Sequence, residues 1–391
     1  MMEKQNKAGH MKEAINHLLS RRSFLGASLG GAASVVGAGV LSRATPSQQE
    51  PPDPHNGHAS MSHDGMSMGL VGEVDHERNG FDPMQMLVDW DYGTVSTTPD
   101  GQTVREYDIS AGDIEIEIAP GVFFPAWTFN GRVPGPAIRC TEGDLIRINF
   151  ANFGSHPHTM HFHGFHPAEM DGVPGVGAGE IVPGASTVYE FNAEPFGCHL
   201  YHCHAIPLKR HIHKGLYGAF VIDPPEGRTP AREFMMIMNG FDTNFDGGNE
   251  IYAVNTVGHE FMRRPIPVIV GETIRIYLIN MVEFDLINSF HVHATFFDYY
   301  DHGTTLEPTS RTIDTVIQAQ GQRGILEFNF RWAGQYMFHA HISEFAELGW
   351  MGFFNAVQPE DYAAALAQVG LDDEWDRKAL NGSTVQTSEE A

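Results

Sequence analysis

Four His-x-His pairs, His161/His163, His202/His204, His291/His293 and His339/His341, are the residues of this chain best suited to chemistry. In a β-strand residues i and i+2 point to the same face, about 6.5–7 Å apart along the chain. Two imidazoles so placed can each reach a metal in one cluster. A single pair is more often a polar strand face than a site. Two pairs in each half of one chain, at matching positions, are hard to explain that way. Imidazole donors suit zinc, copper, iron and nickel, so the pairs alone do not name the metal.

Their neighbours narrow the choice. His158 stands three residues before His161, Cys203 lies between His202 and His204, His211 follows eight residues after the cysteine, and Leu216 comes five beyond that. A blue (type 1) copper takes two imidazoles and a thiolate in a trigonal plane, with a weak or absent axial ligand. His158, Cys203 and His211 supply that set. His213 competes with His211, and His156 with His158. The five-residue step to Leu216 favours His211, and the three-residue step to His161 favours His158. Leu216, at the axial position, cannot coordinate, so a three-coordinate copper of relatively high reduction potential is expected. Cys203 is bonded along the chain to His202 and His204, which provides a covalent path for electrons from a blue copper into the cluster.

These residues carry a family resemblance. The pattern His158-x-x-His161-x-His163, the triplet His202-Cys203-His204, His211 with Leu216, and Gly215-Leu-Tyr-Gly-Ala-Phe-Val-Ile222 together resemble the multicopper oxidases, over roughly residues 105–358. The likeness is to two-domain, laccase-like members, and it implies an all-β fold of two tandem cupredoxin-like Greek-key β-sandwiches. By that resemblance His161 and His291 hold a type 2 copper. His163, His202, His204, His293, His339 and His341 hold a type 3 pair, giving four coppers per subunit with the blue one. Asp171, in the loop Met170-Asp171-Gly172, matches the family's acidic residue that helps deliver protons to reduced oxygen; a simple turn aspartate is the plainer reading. The resemblance further implies one-electron oxidation of a phenol or a reduced metal ion, with a small redox protein as a further donor class. Four such electrons reduce O2 to water. It also implies a homotrimer whose clusters lie between domain one of one subunit and domain two of the next.

The second repeat departs from the pattern. Asn288 stands three before His291, Ala340 takes the cysteine position, and the second histidine slot falls near Phe345. One blue copper, in the first domain, is therefore expected. Two other readings remain. Pro157-His-Thr-Met-His-Phe-His163 and Glu347-Leu-Gly349 also resemble the copper nitrite reductases, but the aspartate expected in that family falls on His161, and four complete pairs overfill a mononuclear site. A non-catalytic copper-binding or electron-transfer protein would leave the second domain's pairs without a use.

The elements that must position these histidines are strands. Gly (42), Pro (23) and Phe (26) are plentiful among 391 residues, which suits short strands and tight turns better than a helical bundle. Ile114-Glu-Ile-Glu-Ile118 and Gly143-Asp-Leu-Ile-Arg-Ile-Asn-Phe150 alternate with period two. Val268-Ile-Val-Gly-Glu-Thr-Ile-Arg-Ile-Tyr-Leu-Ile-Asn280 echoes Ile138–Asn149, an internal repeat. Pro224-Pro225-Glu226-Gly227 separates the copies. The expected organisation is a first domain over 105–224, a second over 231–358, and a tail over 359–391. That tail has a helical patch from Tyr362 to Val369 and is read as an arm on a neighbour or a frayed end.

At the other end, Ser20-Arg21-Arg22-Ser23-Phe24-Leu25-Gly26 precedes an apolar run ending near Leu41 and resembles a twin-arginine export signal over residues 1–44. The run is shorter than the ~20 apolar residues of a membrane span. His10 and His17 fall inside it and are set aside. A periplasmic or secreted protein is expected. Residues 45–104 read as a partly disordered leader. Its His55, His58, Met61, His63, Met66 and Met68 suit transient copper binding as well as accidental linker composition. The net charge of −25 argues against nucleic acid as a partner. Cys140 and Cys198 are either a disulfide or buried thiols.

Overall fold

A computed structural model describes residues 72–381 of the chain. The twin-arginine segment, the leader's His/Met run and residues 382–391 lie outside the described residues.

Alternation makes the sheets. In the strand Leu145–Asn152 every second residue is buried, so one face of the strand meets the core and the other does not. In the first sandwich one sheet runs Trp90–Asp91, Ala137–Thr141, Tyr217–Asp223, Gly197–His202, His161–Phe162. The facing sheet runs Thr94–Thr97, Thr103–Ala119, Leu145–Asn152, Ser186–Asn192, with Val122–Phe129 paired to the long second strand. The second sandwich has a six-stranded sheet built on Arg232–Phe241, Ile274–Asn280 and Arg323–Phe328. Its other sheet runs Ile266–Ile269, Met351–Val357, Gly334–His339, Ile287–Val292, Thr315–Ala319.

The two histidine-bearing sheets share one plan. In each, a short strand lies parallel to the strand that follows the second His-x-His pair, and that strand lies antiparallel to the one leading into this pair. The strand of the first pair then joins antiparallel, with His161 opposite His202 in one domain and His291 opposite His339 in the other.

Each sandwich has its own core, and a third cluster joins them. The strand Arg232–Phe241 is buried along its whole length because it has protein on both faces. Phe234, Met236 and Met238 point into the second domain, while Met235 and Ile237 meet Leu200 and Val221 of the first. Across this junction the buried Arg139 donates to Asp223 at 2.7 Å and to Glu233 at 2.7 Å, and Arg275 donates to Glu233 at 2.6 Å. Burial alone would raise the Glu233 carboxyl, yet the two guanidinium groups hold it below its ordinary value.

The chain ends differ from the reading of the sequence. Residues 72–104, taken as part of a loosely ordered leader, are built into the fold. Met84, Leu87 and Val88 enter the second domain's core, and Phe81, Met86 and Trp90 enter the interdomain cluster. Their helices, His76–Asn79 and Pro83–Met86, are single turns with aspartate caps at Asp75 and Asp82. Turns this short carry no apolar period to read. The tail likewise packs on its own chain. Helices Tyr362–Gln368 and Asp373–Asn381 send Leu366, Trp375 and Ala379 into the second core, and Trp375 Nε1 donates to the Met84 carbonyl at 2.8 Å. Trp375→Ala should therefore cost about 3–5 kcal/mol of stability, as truncation of a fully buried large side chain does. Urea denaturation checks this, and a loss below about 1 kcal/mol would mean the tail does not stabilise the fold.

All three cysteines are free and buried. Cys140 and Cys198 flank the same strand, opposite Ile222 and Val221, and belong to different core clusters on its two faces, so no bridge joins them. Among the described residues no helix is long and apolar enough to cross a membrane.

Candidate metal centre

The first site forms where three segments meet at one end of the first sandwich. His158 lies in the segment before strand His161–Phe162, Cys203 directly follows strand Gly197–His202, and His211 sits in the helix Leu208–His213. His158 Nδ1 and His211 Nδ1 are 3.2 Å apart, and Cys203 Sγ is 3.2 Å from His211 Nδ1 and 3.9 Å from His158 Nδ1. All three side chains are buried. Burial lowers both imidazoles to about 4, so their lone pairs are free at neutral pH. Burial pushes the thiol up to about 11, against amide hydrogen bonds from Ala205 and Thr159. A soft sulfur and two neutral imidazole nitrogens aimed at one point fit copper. The sulfur loses its proton only in exchange for a cation.

The sequence competitors are placed elsewhere. His213 Nε2 accepts from the Asp242 amide at 3.1 Å, and His156 Nδ1 lies 2.7 Å from Ser155 Oγ. Leu216 is fully buried and its amide donates to the His211 carbonyl at 3.2 Å, which closes the helix back over the site. Gly154 is needed for close packing, because a Cβ there would lie 2.9 Å from His158 Nε2.

The four His-x-His pairs form two half-sites of the same geometry. His163 Nε2 and His202 Nε2 are 3.0 Å apart; His293 Nε2 and His339 Nε2 are 3.1 Å apart. The ring centroids of His161 and His204 lie 5.2 Å apart, those of His291 and His341 5.1 Å. In each half two imidazoles are pinned through Nδ1–H to backbone carbonyls. His161 donates to Asp171 at 2.8 Å and His202 to Cys203 at 2.9 Å, while His291 donates to Asp314 at 2.8 Å and His339 to Ala340 at 2.6 Å. These bonds fix the tautomer and leave Nε2 as a bare lone pair, which is the arrangement of metal-ligating histidines. His204 Nδ1 is buried without a partner. Burial lowers His163 to about 3 and His202 to about 4.

The halves differ in exposure. His202 is buried, but His293 and His341 of the second half are exposed. Among the described residues, every ring contact between these histidines joins members of one half.

Asp171 sits beside the first half. Its Oδ1 is 3.0 Å from His161 Nδ1 and 3.5 Å from His166 Nε2. Gly172 permits this approach, because at φ +64° a Cβ would fall 1.8 Å from the Met160 carbonyl.

In the second domain the backbone of a blue-copper site persists without its ligands. The Ala340 amide donates to Trp350, as that of Cys203 does to Leu216, and the Trp350 amide donates to Phe345, as that of Leu216 does to His211. Phe345 thus occupies the His211 place and stacks on Tyr252 at 4.0 Å, while Asn288 Oδ1 accepts from the Ser289 amide at 2.7 Å.

Sequence reasoning passed over four residues. Trp127 roofs the first site, its ring 4.8 Å from His211 and 5.3 Å from His158. Thr159 donates its amide to Cys203 Sγ at 3.3 Å and accepts from the His204 amide at 2.9 Å; Ser289 accepts likewise from His341 at 2.8 Å. His166 stands at Asp171. Thr159 and Ser289 each lie two before the first histidine of a pair, a symmetry the aligned repeats do contain.

The depressed histidines make a pH prediction. Their folded values lie below the ordinary 6.5, so between pH 6.5 and about 4 the unfolded chain binds protons that the folded chain does not. Stability of the copper-free protein should be full above 6.5 and fall as pH descends toward 4. Denaturation midpoints of the copper-free protein across that range test it, and a flat profile would contradict it.

Comparison with known proteins agrees with this geometry. Two multicopper oxidase family profiles match residues 111–227 and 230–360. A solved multicopper oxidase is 56% identical with a TM-score of 0.72, covering 73% of this chain and 100% of that one. The blue copper oxidase of Nitrosomonas europaea is 25% identical with a TM-score of 0.60, over 73% of this chain and 95% of that one. The copper-containing nitrite reductase of Neisseria meningitidis is 29% identical over 243 residues, 56% of this chain and 61% of the reductase, so the match spans about three fifths of that relative's length. With two tandem cupredoxin-like sandwiches and a histidine framework repeated in both, the chain belongs to the multicopper oxidases.

Proposed function

We propose that this protein is a laccase-like oxidase that couples one-electron oxidation of a phenol or reduced metal ion to four-electron reduction of dioxygen to water. The observation that carries this reading is the pair of matched four-histidine half-sites, one of them joined through Cys203 to a sulfur-and-two-nitrogen site. Copper, when bound, supplies one-electron chemistry at the first site and dioxygen binding and reduction at the cluster. His158, Cys203 and His211 would hold the blue copper; His161 and His291 the type 2 ion; His163, His202, His204, His293, His339 and His341 the type 3 pair.

The chain's residues then have definite tasks. Cys203 offers two routes into the first half-site: the backbone to His202 and His204, and the hydrogen bond from His202 Nδ1 to its own carbonyl. Asp171, 31% exposed beside His161, is placed between solvent and the first half-site, where an acidic group can serve proton delivery. Each dioxygen requires four donor electrons and four protons and yields two waters.

The assembly is part of the proposal. Because the two halves make no ring contact with each other, a cluster needing both would combine domain one of one subunit with domain two of the next. In such a head-to-tail interface three copies close a ring. The exposed His293 and His341, flanked by the exposed Phe296 and Trp332, support this arrangement. Export by the twin-arginine route, to the periplasm or beyond, belongs to the same proposal and rests on Arg21-Arg22 and the apolar run after them.

The test is oxygen uptake by copper-loaded protein with phenols and reduced metal ions, alongside a visible spectrum. Uptake near one dioxygen per four donor electrons is expected. Nitric oxide from nitrite without oxygen uptake would instead favour the nitrite reductase reading.

A further inference from the structure

We propose that a hollow beside the His211 helix binds an aromatic electron donor that carries an anionic substituent, a carboxylate or sulfonate. The inference rests on the oxidase reading above and names its donor class. The hollow encloses about 780 Å³ between the helix Leu208–His213, Pro125 and the loop after the strand Arg232–Phe241.

Charge is the first argument. The chain carries −25, yet Lys209, Arg210 and Lys214 line this one hollow, and the two lysines are among only six in the sequence. Among the described residues, none of these three cations forms an ion pair with a carboxylate. The two acids in the same wall are engaged by backbone: Asp242 accepts from the amides of Asp246 at 3.1 Å and Gly247 at 2.8 Å, and Asp246 from Gly248 at 3.1 Å. The cations rest on aromatic faces, and Lys214 Nζ also donates to the Pro125 carbonyl at 2.5 Å. Lys209 Nζ lies 4.2 Å from the Phe284 ring, Lys214 Nζ 4.6 Å from Phe245, and the Arg210 guanidinium 5.1 Å from Trp127. Such contacts hold a cation but leave it without a counter-ion. Burial and the neighbouring Arg210 lower the Lys214 ammonium to about 8, a cost that a bound anion would relieve.

Backbone strain is the second argument. Phe245 and Phe284, both lining the hollow, occupy the left-handed region at φ +64° and +76°. Bulky side chains rarely stand there, and each instance costs roughly 1–3 kcal/mol. Phe245 is also 54% exposed, so its own burial does not repay that cost. Two aromatic rings on strained backbone, each beside a lysine, thus line one hollow and offer apolar surface next to positive charge.

Position is the third. Arg210 and His213 flank His211 in the helix, and Arg210 stacks on Trp127, whose ring is 4.8 Å from His211. A donor held here is adjacent to the residues that roof the first site.

The test measures binding apart from turnover. Calorimetry on the copper-loaded full-length protein would compare a redox-inert dimethoxybenzoate with uncharged dimethoxybenzene. The wild type should bind the benzoate about tenfold more tightly, and Lys209→Gln with Lys214→Gln should reduce that preference below about twofold with the blue absorption retained. If the double variant does not fold, Lys209→Gln alone, at an exposed position, should reduce it about threefold. Equal binding of the two ligands by the wild type, or a preference that survives the substitutions, would overturn the proposal. Oxygen uptake with syringate separates the two claims: intact selective binding without uptake from any donor would defeat the oxidase reading and not the site.

Discussion

Cys203→Ser should abolish the blue absorption and lower steady-state oxygen uptake at least about a thousandfold, equivalent to roughly 4 kcal/mol of barrier. Serine keeps the shape of the site, but a hydroxyl stays protonated at neutral pH and is a hard donor that a soft trigonal site does not favour. On the proposed function the substitution removes the thiolate that would give the colour and the start of the covalent path to His202 and His204. The cluster ligands should stay in place, because their geometry is held elsewhere. The His204 amide is bonded to Thr159 and the Cys203 amide to Leu216, and neither bond involves the sulfur. Metal analysis should accordingly show a loss of about one copper per chain, not all of it. A variant that stayed blue, or that turned over within about tenfold of the wild type, would remove Cys203 from the electron path.

A second large effect tests the assembly. His161→Ala with His163→Ala disables the first half-site, and His291→Ala with His293→Ala disables the second. Each doubly substituted protein alone should be inactive, with the blue absorption of both retained because His158, Cys203 and His211 are untouched. When the two are mixed as subunits of one head-to-tail ring, an intact cluster forms wherever a good first domain meets a good second domain from its neighbour. Every mixed ring of three has one such pairing among its three interfaces, so about a third of wild-type activity should return in rings that contain both variants. Clusters built inside single chains would give no recovery, because every chain in the mixture carries one dead half. Co-expression with two affinity tags, followed by oxygen uptake on doubly selected protein, reads the difference directly.

Much of the site could be read in the sequence, for a definite reason. A strand returns every second side chain to one face, so His-x-His is a statement in one dimension about a shared face in three. Cys203 and His211 meet through local chain, eight residues apart, while His158, three before His161, reaches them from 45 residues away because its strand pairs with the one leading into Cys203. The repeat was legible as well, because the acidic residue beside Gly and the Ile-Arg-Ile step at Glu142–Ile148 recur at Gly271–Ile276, although the second strand is buried along its whole length. The absent ligands of the second domain could be read too, since Asn288, Ala340 and Phe345 stand at the corresponding steps.

What the sequence withheld depends on contacts between distant segments. Whether His211 or His213 faces Cys203 turns on which side of a short helix meets the core, and the Asp242 amide that takes up His213 lies 29 residues away. Trp127 roofs the site from a strand 76 positions before Cys203, with no spacing rule linking the two. Residues 72–104 and the tail read as loose because single capped turns and two short helices have too little period to announce burial. Only the fold brings Met84 and Trp375 together, 291 residues apart, around one apolar core. The four His-x-His pairs were thus determined by the chain's local geometry. Their grouping into two half-sites was decided by strand pairing between distant segments, which sets His161 opposite His202 and His291 opposite His339 and leaves only the second half with exposed members.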